Sequence, residues 1–246
     1  MGSGKWEVGS GKWGRTLNFT LSSLLYPLSS HLVAMVEQDK LESPPPRPVM
    51  NAYTLDFRNI LEISDRQFYD LCRQNPDVKF ERNATGDLII MAPTGGETGN
   101  RNIEIAAEFV IWNRRSQSGY LFDSSTGFRL PNGAHRSPDL AWVAADRWLA
   151  LSPEQREKFP PIAPDFVLEL RSAIAHPSPS DSLTDLQAKM AEYITNGVQL
   201  AWLIDRPHRT VTLYRPDLPP EVLPEPTMLG GEPVLPGFQL DLSFVW

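Results

Sequence analysis

Two acidic residues lie at positions where they could bind a divalent metal ion together. Asp139 follows Pro138 and opens the apolar stretch 140–143, and Glu169 lies within a second apolar stretch, 165–171. Both stretches have the composition of β-strands. Mg²⁺ and Mn²⁺ prefer oxygen ligands, and such an ion can lower the pKa of a bound water molecule and neutralise charge on a phosphodiester. If the two strands are neighbours, the sequence predicts a metal site of nuclease type.

Each of these residues also has an explanation that involves no metal. Side chains alternate along a strand, so Glu169 and Arg171 share one face of stretch 165–171. They could form a buried ion pair that braces the sheet, since a buried charge is costly unless it is paired. Asp139 could be a residue of a turn that precedes a strand. The sequence leaves these alternatives open.

A lysine on the next predicted helix could complete such a site. The helix spans about 183–196 and ends before Gly197, a favourable residue just past a helix end. Lys189 lies at the margin of its apolar face, about 90° from the centre of that face. It could reach the carboxylates and orient or deprotonate the attacking water, or it could extend its ammonium group into solvent.

The elements that would position these residues follow a mixed order of helices and strands. Ser64 is expected to cap a helix that continues to about Asn75. The predicted hairpin has strands 78–82 and 87–91 around the turn residues 83–86. A helix over about 99–115 is apolar on two faces, which predicts that it is mostly buried. The further predicted strands are 119–123, 126–130, 138–143, 165–171, 200–205 and 210–215. We therefore expect an α/β (α+β) domain over residues 51–246.

The first 50 residues differ from the rest of the chain. Gly-Ser-Gly-Lys-Trp occurs at 2–6 and again at 9–13, without the spacing of a phosphate-binding loop. We expect this extension to be poorly ordered or loosely docked. Translation of the native protein could begin at Met35 or Met50.

Composition and charge exclude several classes of protein. The net charge of −7 argues against a general nucleic-acid-coating protein, although a bound metal would offset local negative charge. Cys72 is the single cysteine, so an intrachain disulfide and a thiolate zinc cluster are both excluded. The apolar run 18–36 is interrupted by Pro27, His31 and four serines, which makes it a poor membrane span. We expect a cytoplasmic protein that does not enter a membrane.

Six stretches that cover much of residues 60–246 resemble the Uma-two family, whose bacterial members are regarded as endonucleases. The stretches begin with Met-Ala-Pro-Thr-Gly-Gly-Glu-Thr-Gly-Asn-Arg-Asn and end with Gly-Glu-Pro-Val-Leu-Pro-Gly-Phe. They span residues 91–102, 122–134, 136–143, 164–172, 178–193 and 231–238. The family is similar to the restriction-endonuclease-like superfamily with its Pro-Asp…(Asp/Glu)-x-Lys motif. That resemblance implies a mixed β-sheet flanked by helices and metal-dependent cleavage of phosphodiester bonds.

The resemblance also implies roles for particular residues. Asp139 belongs to the first half of the motif and Glu169 is the second acid, so both are expected to bind Mg²⁺ or Mn²⁺. Arg171 stands where many members have lysine, and it cannot act as a base at neutral pH. Its expected role is to support the phosphate. In this family the lysine is similar to one moved to the following helix, here Lys189.

The resemblance implies one further acid, carried by the long helix. Glu97, at the entry of that helix, is the choice for this position, and Glu104 is its rival.

One insertion separates this chain from the family pattern. Residues 173–178 lie between Ser172 and Pro179, where the family passes almost directly from one motif to the next. The insertion could lengthen a loop, displace Lys189, or bring His176 near the metal.

The leading hypothesis from the sequence is a DNA endonuclease that uses Mg²⁺ or Mn²⁺. The alternative is a catalytically inactive nuclease-fold protein that binds nucleic acid or a protein partner. A homodimer is expected by analogy with enzymes that cut two strands.

Overall fold

The computed structural model describes residues 52–57, 61–172 and 182–246. The predictions for the extension 1–50 and for the insertion 173–178, including His176, lie outside these residues. Within these ranges no helix combines the length and the apolar character needed to cross a membrane.

Five helices and thirteen strands make up the described part of the chain. The helices are α1 (Asp65–Gln74), α2 (Gly96–Ser116), α3 (Ala145–Leu149), α4 (Pro153–Glu157) and α5 (Leu183–Thr195). The strands before α3 are β1 (Ala52–Leu55), β2 (Lys79–Arg82), β3 (Leu88–Met91), β4 (Gly119–Asp123), β5 (Phe128–Arg129), β6 (His135–Arg136) and β7 (Leu140–Ala144). The later strands are β8 (Phe166–Arg171), β9 (Leu200–Asp205), β10 (Thr210–Tyr214), β11 (Glu221–Pro224), β12 (Met228–Gly230) and β13 (Gln239–Asp241).

The main sheet has six strands in the order β11-β10-β9-β8-β7-β4. Only β8 and β9 run parallel, while every other neighbouring pair is antiparallel. A parallel pair needs a long crossover connection, and the connection between β8 and β9 contains α5. The crossover therefore brings the helix that carries Lys189 back over the strand that carries Glu169.

The main sheet separates two hydrophobic cores. Phe166, Leu168 and Leu170 of β8 pack into the first core together with Phe109 of α2. Val167, which lies between Phe166 and Leu168 in the strand, packs into the second core together with residues of α5. This alternation confirms the predicted faces of stretch 165–171, and it places Glu169 on the same side as α5.

A second sheet has five strands in the order β1-β3-β2-β6-β5. The predicted hairpin is confirmed, because β2 pairs antiparallel with β3 around a turn in which Gly86 has a φ of +93°. The next pairing joins β2 to β6 at Arg82 and His135. Because β6 ends at Arg136, shortly before Asp139 in the chain, this pairing brings β2 close to the candidate site.

Most predicted elements are confirmed within a few residues. Ser64 caps α1, its side chain accepting a hydrogen bond from the backbone N–H of Gln67. The predicted burial of helix 99–115 is wrong: Ile105 and Phe109 are buried, but Ile103 is 64% exposed. The helix covers one face of the sheet, so one stripe is buried, whereas Ile103 and Ala107 of the second apolar face point to solvent.

Substitution of Gly119, the first residue of β4, tests the packing of this strand against β7 of the main sheet. A Cβ atom at Gly119 would overlap the carbonyl oxygen of Val143 and the indole ring of Trp142 on the neighbouring strand. Gly119→Ala should therefore lower the free energy of unfolding by about 1–3 kcal/mol, as overpacking does. Gly99→Ala is the matched control, since a Cβ atom there meets nothing within 4 Å. This control should raise stability by about 0.5–1 kcal/mol because alanine favours the helix. Urea denaturation measures both changes, and equal effects would contradict the packing argument.

Candidate active site

Asp139 directly precedes β7, and Glu169 lies on the neighbouring strand β8 of the main sheet. β7 pairs with β8 so that Leu140 faces Leu168, and one further step of this antiparallel register brings Asp139 beside Glu169. The carboxylate of Asp139 accepts a hydrogen bond from the backbone N–H of Leu170 through its Oδ2 atom, at 2.9 Å. Directly opposed residues have their Cβ atoms about 4.5–5.5 Å apart. The sheet therefore brings together the two acids that the sequence predicted.

Lys189 reaches the same place from α5. Its Nζ atom lies 2.7 Å from Oε1 of Glu169. The hydroxyl of Tyr193, one helical turn further on, donates a hydrogen bond to the same oxygen at 3.1 Å. Glu169 is only 5% exposed, so this carboxylate is held inside the protein by contacts from the crossover helix. The helix α5 therefore brings Lys189 into direct contact with Glu169.

A third carboxylate, Glu81 of β2, also contacts Lys189. Oε1 of Glu81 lies 3.0 Å from Nζ of Lys189 and accepts a hydrogen bond from the backbone N–H of Ser137 at 2.9 Å. Its other oxygen pairs with Nη1 of Arg136 at 3.1 Å. Sequence reasoning missed Glu81 because alternating charges in a short hairpin strand are typical of a solvent-facing side. In the structure Glu81 is 2% exposed.

Arg136 extends the network of charges back to α5. Its Nε atom lies 2.6 Å from Oε2 of Glu192. The other oxygen of Glu192 accepts a hydrogen bond from Nδ2 of Asn132 at 2.9 Å. Arg136 stands in the stretch that resembles the family, three residues before Asp139, and that proximity is the one signal in the sequence that could have pointed to it.

The two carboxylates that contact Lys189 have opposite shifts in pKa. Burial raises the pKa of Glu169 to about 7, and the negative charges of Asp139 and Glu81 add to this effect, while Lys189 opposes it. Burial would also raise the pKa of Glu81, but Lys189 and Arg136 outweigh it and lower the value to about 2. Glu81 is thus a permanent anion between two cations. Glu169 lies among acids and has one cationic partner, so its ionised form is less favourable.

The charges around Lys189 favour one of its two predicted roles, the orientation of water, over the role of a base. Burial would lower the pKa of Lys189, but the carboxylates of Glu169 and Glu81 outweigh burial and raise the pKa above its usual range. The amine is therefore held as a cation in this arrangement and has no free lone pair with which to accept a proton. A role in orienting water or in contributing positive charge is compatible with this state.

Two other predicted residues have contacts away from the paired acids. Nη1 of Arg171 lies 3.0 Å from Oδ1 of Asp205 at the end of β9. Glu169 pairs with Lys189. In the described part of the chain, Arg171 and Glu169 therefore have different partners rather than each other. Glu97 is on the first turn of α2 with its side chain 80% exposed, 3.7 Å from Arg101. The structure does not bring Glu97, or the exposed Glu104, to Asp139 and Glu169. The reason is the rotation of α2, which turns its acidic ridge toward solvent.

The acids and the lysine open into a cleft of about 790 Å³. α2 lines this cleft with Thr98 and Asn102 rather than with its glutamates, and the end of β8 contributes Ser172. Among the described residues, no group of three or more His, Cys, Asp or Glu side chains has the geometry of a metal site. Any cation here would therefore rely on Asp139 and Glu169, with water or substrate oxygens as further ligands.

The main sheet, with α2 packed on one face and α5 on the other, defines a mixed α/β protein whose cleft lies at the paired acids. Residues 65–243 match the model of the Uma2 family, described as "Putative restriction endonuclease". The chain belongs to the Uma2 family. None of the curated proteins matches it. Among the matching solved structures is a protein from Anabaena variabilis ATCC 29413, described as a putative nuclease belonging to DUF820. It is 21% identical to this chain, with a TM-score of 0.56 over 68% of this chain and 88% of that one. This likeness confirms the fold that the sequence predicted.

The pKa of Glu169 makes stability depend on pH. The folded protein holds a proton on Glu169 up to about pH 7, whereas the unfolded chain releases it near 4.5. The free energy of unfolding therefore falls as the pH rises through this window. Glu169→Gln removes the dependence, so the variant should gain up to about 3 kcal/mol relative to wild type between about pH 5 and about pH 8.

Urea denaturation at both pH values in the presence of EDTA measures this gain. Glu157→Gln, which changes an exposed glutamate of α4, is the control and should alter stability equally at both. A constant difference between Glu169→Gln and wild type would show that Glu169 does not carry the raised pKa.

Proposed function

We propose that this protein is an endonuclease that hydrolyses phosphodiester bonds of DNA with the help of Mg²⁺ or Mn²⁺. The observation that carries the proposal is the meeting of Asp139, Glu169 and Lys189 in one cleft, from two adjacent strands and the helix that crosses over them. Membership of a family described as restriction endonucleases supports the reaction class. The DNA substrate and the need for a metal are part of the proposal.

The free oxygens of the two acids fit a hard cation. Within the described residues, the contacts of Asp139 use Oδ2 and those of Glu169 use Oε1. Oδ1 of Asp139 and Oε2 of Glu169 thus remain for a ligand, at the lining of the cleft. The negative charge of Asp139 makes ionisation of Glu169 harder, and a cation between the two would relieve that repulsion. A bound Mg²⁺ or Mn²⁺ would supply an activated water and neutralise charge on the phosphate.

Lys189 would supply a fixed positive charge beside the phosphate. Its second partner, Glu81, keeps the ammonium group at the cleft even when Glu169 engages a ligand. Arg136 and the backbone N–H of Ser137 in turn hold the Glu81 carboxylate in place. Tyr193 fixes the orientation of Glu169 through its hydroxyl. Such preorganised charge stabilises a developing negative transition state without rearrangement.

Substitution of the three central residues tests the proposed reaction. Asp139→Asn, Glu169→Gln and Lys189→Met should each lower the rate of plasmid cleavage by at least about 100-fold, as loss of a transition-state contact does. Plasmid nicking in Mg²⁺ and in Mn²⁺, with EDTA as the blank, measures the rate. Glu157→Gln, which changes an exposed glutamate outside the cleft lining, is the purification-matched control and should cut like wild type. Equal cutting by wild type and all three variants would identify a contaminating nuclease and refute the proposal.

A comparison of Glu81 with Glu192 tests how Lys189 is positioned. Both glutamates pair with Arg136, but only Glu81 contacts Lys189. Glu81→Gln should therefore lower kcat by about 10-fold or more with little change in KM, since a small misplacement of a catalytic group is costly. Glu192→Gln should cost much less. Steady-state nicking kinetics distinguish the two, and equal losses in kcat would show that Glu81 acts only through general stability.

A nuclease-fold protein that binds nucleic acid or a protein partner without cutting is the second candidate. The ion pair between Lys189 and Glu169 favours it, because it already neutralises the carboxylate in the absence of any ligand. In the plasmid experiment this candidate predicts DNA binding without cleavage in either metal. The homodimer expected by analogy stays a prediction.

A further inference from the structure

Among the described residues, three cationic side chains line the cleft, and two of them already have anionic partners. Arg136 and Lys189 each contact two glutamates. The third cation is Lys79, the first residue of β2, and its side chain makes no ion pair or hydrogen bond within the described part of the chain. Lys79 is partly exposed, and its Nζ atom is not shut off from solvent. Its charge is therefore available to a ligand in the cleft.

Glu81 is the nearest acid along β2, but it does not pair with Lys79. Residues two apart in a strand share one face and lie about 7 Å from each other. Both carboxylate oxygens of Glu81 have other partners, since Oε1 lies 3.0 Å from Nζ of Lys189 and Oε2 lies 3.1 Å from Nη1 of Arg136. Lys79 therefore lies two residues along the strand from the glutamate that holds Lys189, with its own charge unpaired among the described residues.

Lys79 belongs to a surface of the cleft that we call the hairpin wall, formed by Lys79 and Glu81 of β2 and by Ile89 and Met91 of β3. In the antiparallel register Lys79 lies opposite Met91, and Glu81 lies opposite Ile89. Directly opposed residues have their Cβ atoms about 4.5–5.5 Å apart. The wall thus presents an unpaired cation beside two apolar side chains. A nucleotide strand has a matching combination, because each charged phosphate is attached to the less polar ring of a sugar.

The surface that α5 contributes to the cleft is less favourable for a phosphate. It carries Asp185 and Glu192 in addition to Lys189, whose charge is already shared by two glutamates. Asp185 has no cationic partner in the part of the chain that the structure describes. A negatively charged backbone is repelled by such a surface and attracted by Lys79. The charges therefore favour a strand that follows the hairpin wall.

We propose that Lys79 binds a backbone phosphate of the DNA strand, next to the phosphate that reacts at Asp139 and Glu169. This inference deepens the proposed function and rests on it for the identity of the ligand. Phosphates recur about every 3.4 Å of helix axis along one strand, so the neighbours of a phosphate in the cleft fall within the length of the hairpin wall. Lysine binds a phosphate as a point charge. Such a contact fixes the position of the strand and carries no information on its sequence.

Removal of the charge at Lys79 tests this inference by equilibrium binding. Fluorescence anisotropy of a short labelled DNA duplex, in EDTA and over a series of salt concentrations, gives Kd and its dependence on salt. Lys79→Gln should weaken binding about 10-fold at low salt and reduce the slope of log K against log salt by roughly 1, the change for one lost phosphate contact. The effect should be the same for unrelated duplex sequences.

Three further variants make the test specific. Lys158→Gln removes the same charge from an exposed lysine outside the cleft lining, and it should leave the slope close to that of wild type. Lys79→Arg keeps the charge and should keep most of the slope. If Lys79→Gln melts early by circular dichroism, Lys79→Met, which keeps the aliphatic part of the side chain, replaces it and should show the same reduced slope.

The outcomes separate this inference from the proposed function. An unchanged slope without the charge of Lys79, or an equal loss in Lys158→Gln, would overturn the role of Lys79 even if wild type cuts DNA. A reduced slope together with no cleavage by wild type would support Lys79 as a phosphate-binding residue and refute the endonuclease. Wild type that binds no duplex, with or without Mg²⁺, would overturn both.

Discussion

The position of Lys189 between Glu169 and Glu81 is the contact on which the site depends. It joins three parts of the fold: the central strand β8, the crossover helix α5 and the hairpin strand β2. All three side chains are largely buried, so loss of one partner would leave a charge that the interior cannot solvate. The ammonium group of Lys189 therefore joins the second sheet, which contains β2, to the main sheet at the cleft.

The surrounding charges explain why one carboxylate stays ionised and the other stays available. Glu81 has Lys189, Arg136 and a backbone N–H, and this set holds it as an anion with a structural task. Glu169 faces Asp139 and keeps one oxygen free of contacts among the described residues, so it is the acid whose state a cation in the cleft would change. The two glutamates therefore have different roles. Glu81 holds Lys189 in position, and Glu169 keeps an oxygen for a ligand.

Local sequence patterns predicted much of the fold and the positions of Glu169 and Lys189 in the candidate site. Alternation along 165–171 placed Glu169 on the face toward α5, and the helix over 183–196 placed Lys189 at the edge of its apolar face, as the structure has them. The same reasoning failed for the long helix. Two apolar stripes on α2 predicted that the helix is mostly buried, but the main sheet offers one surface, and Ile103 is left in solvent. Short strands such as β6 have too few residues for a periodic signal.

By itself the sequence determined the longer helices, most of the longer strands and the two acids that stand at strand positions suited to a cation, because these depend on neighbours within a few residues. Only the tertiary structure decided that Glu81 joins Lys189, 108 residues away in the chain, and that Arg171 turns to Asp205. Such partners depend on the order of strands in the sheets and on the direction of the crossover. No local pattern of residues encodes that strand order. Glu81 can therefore be recognised as part of the site only from the pairing of β2 with β6.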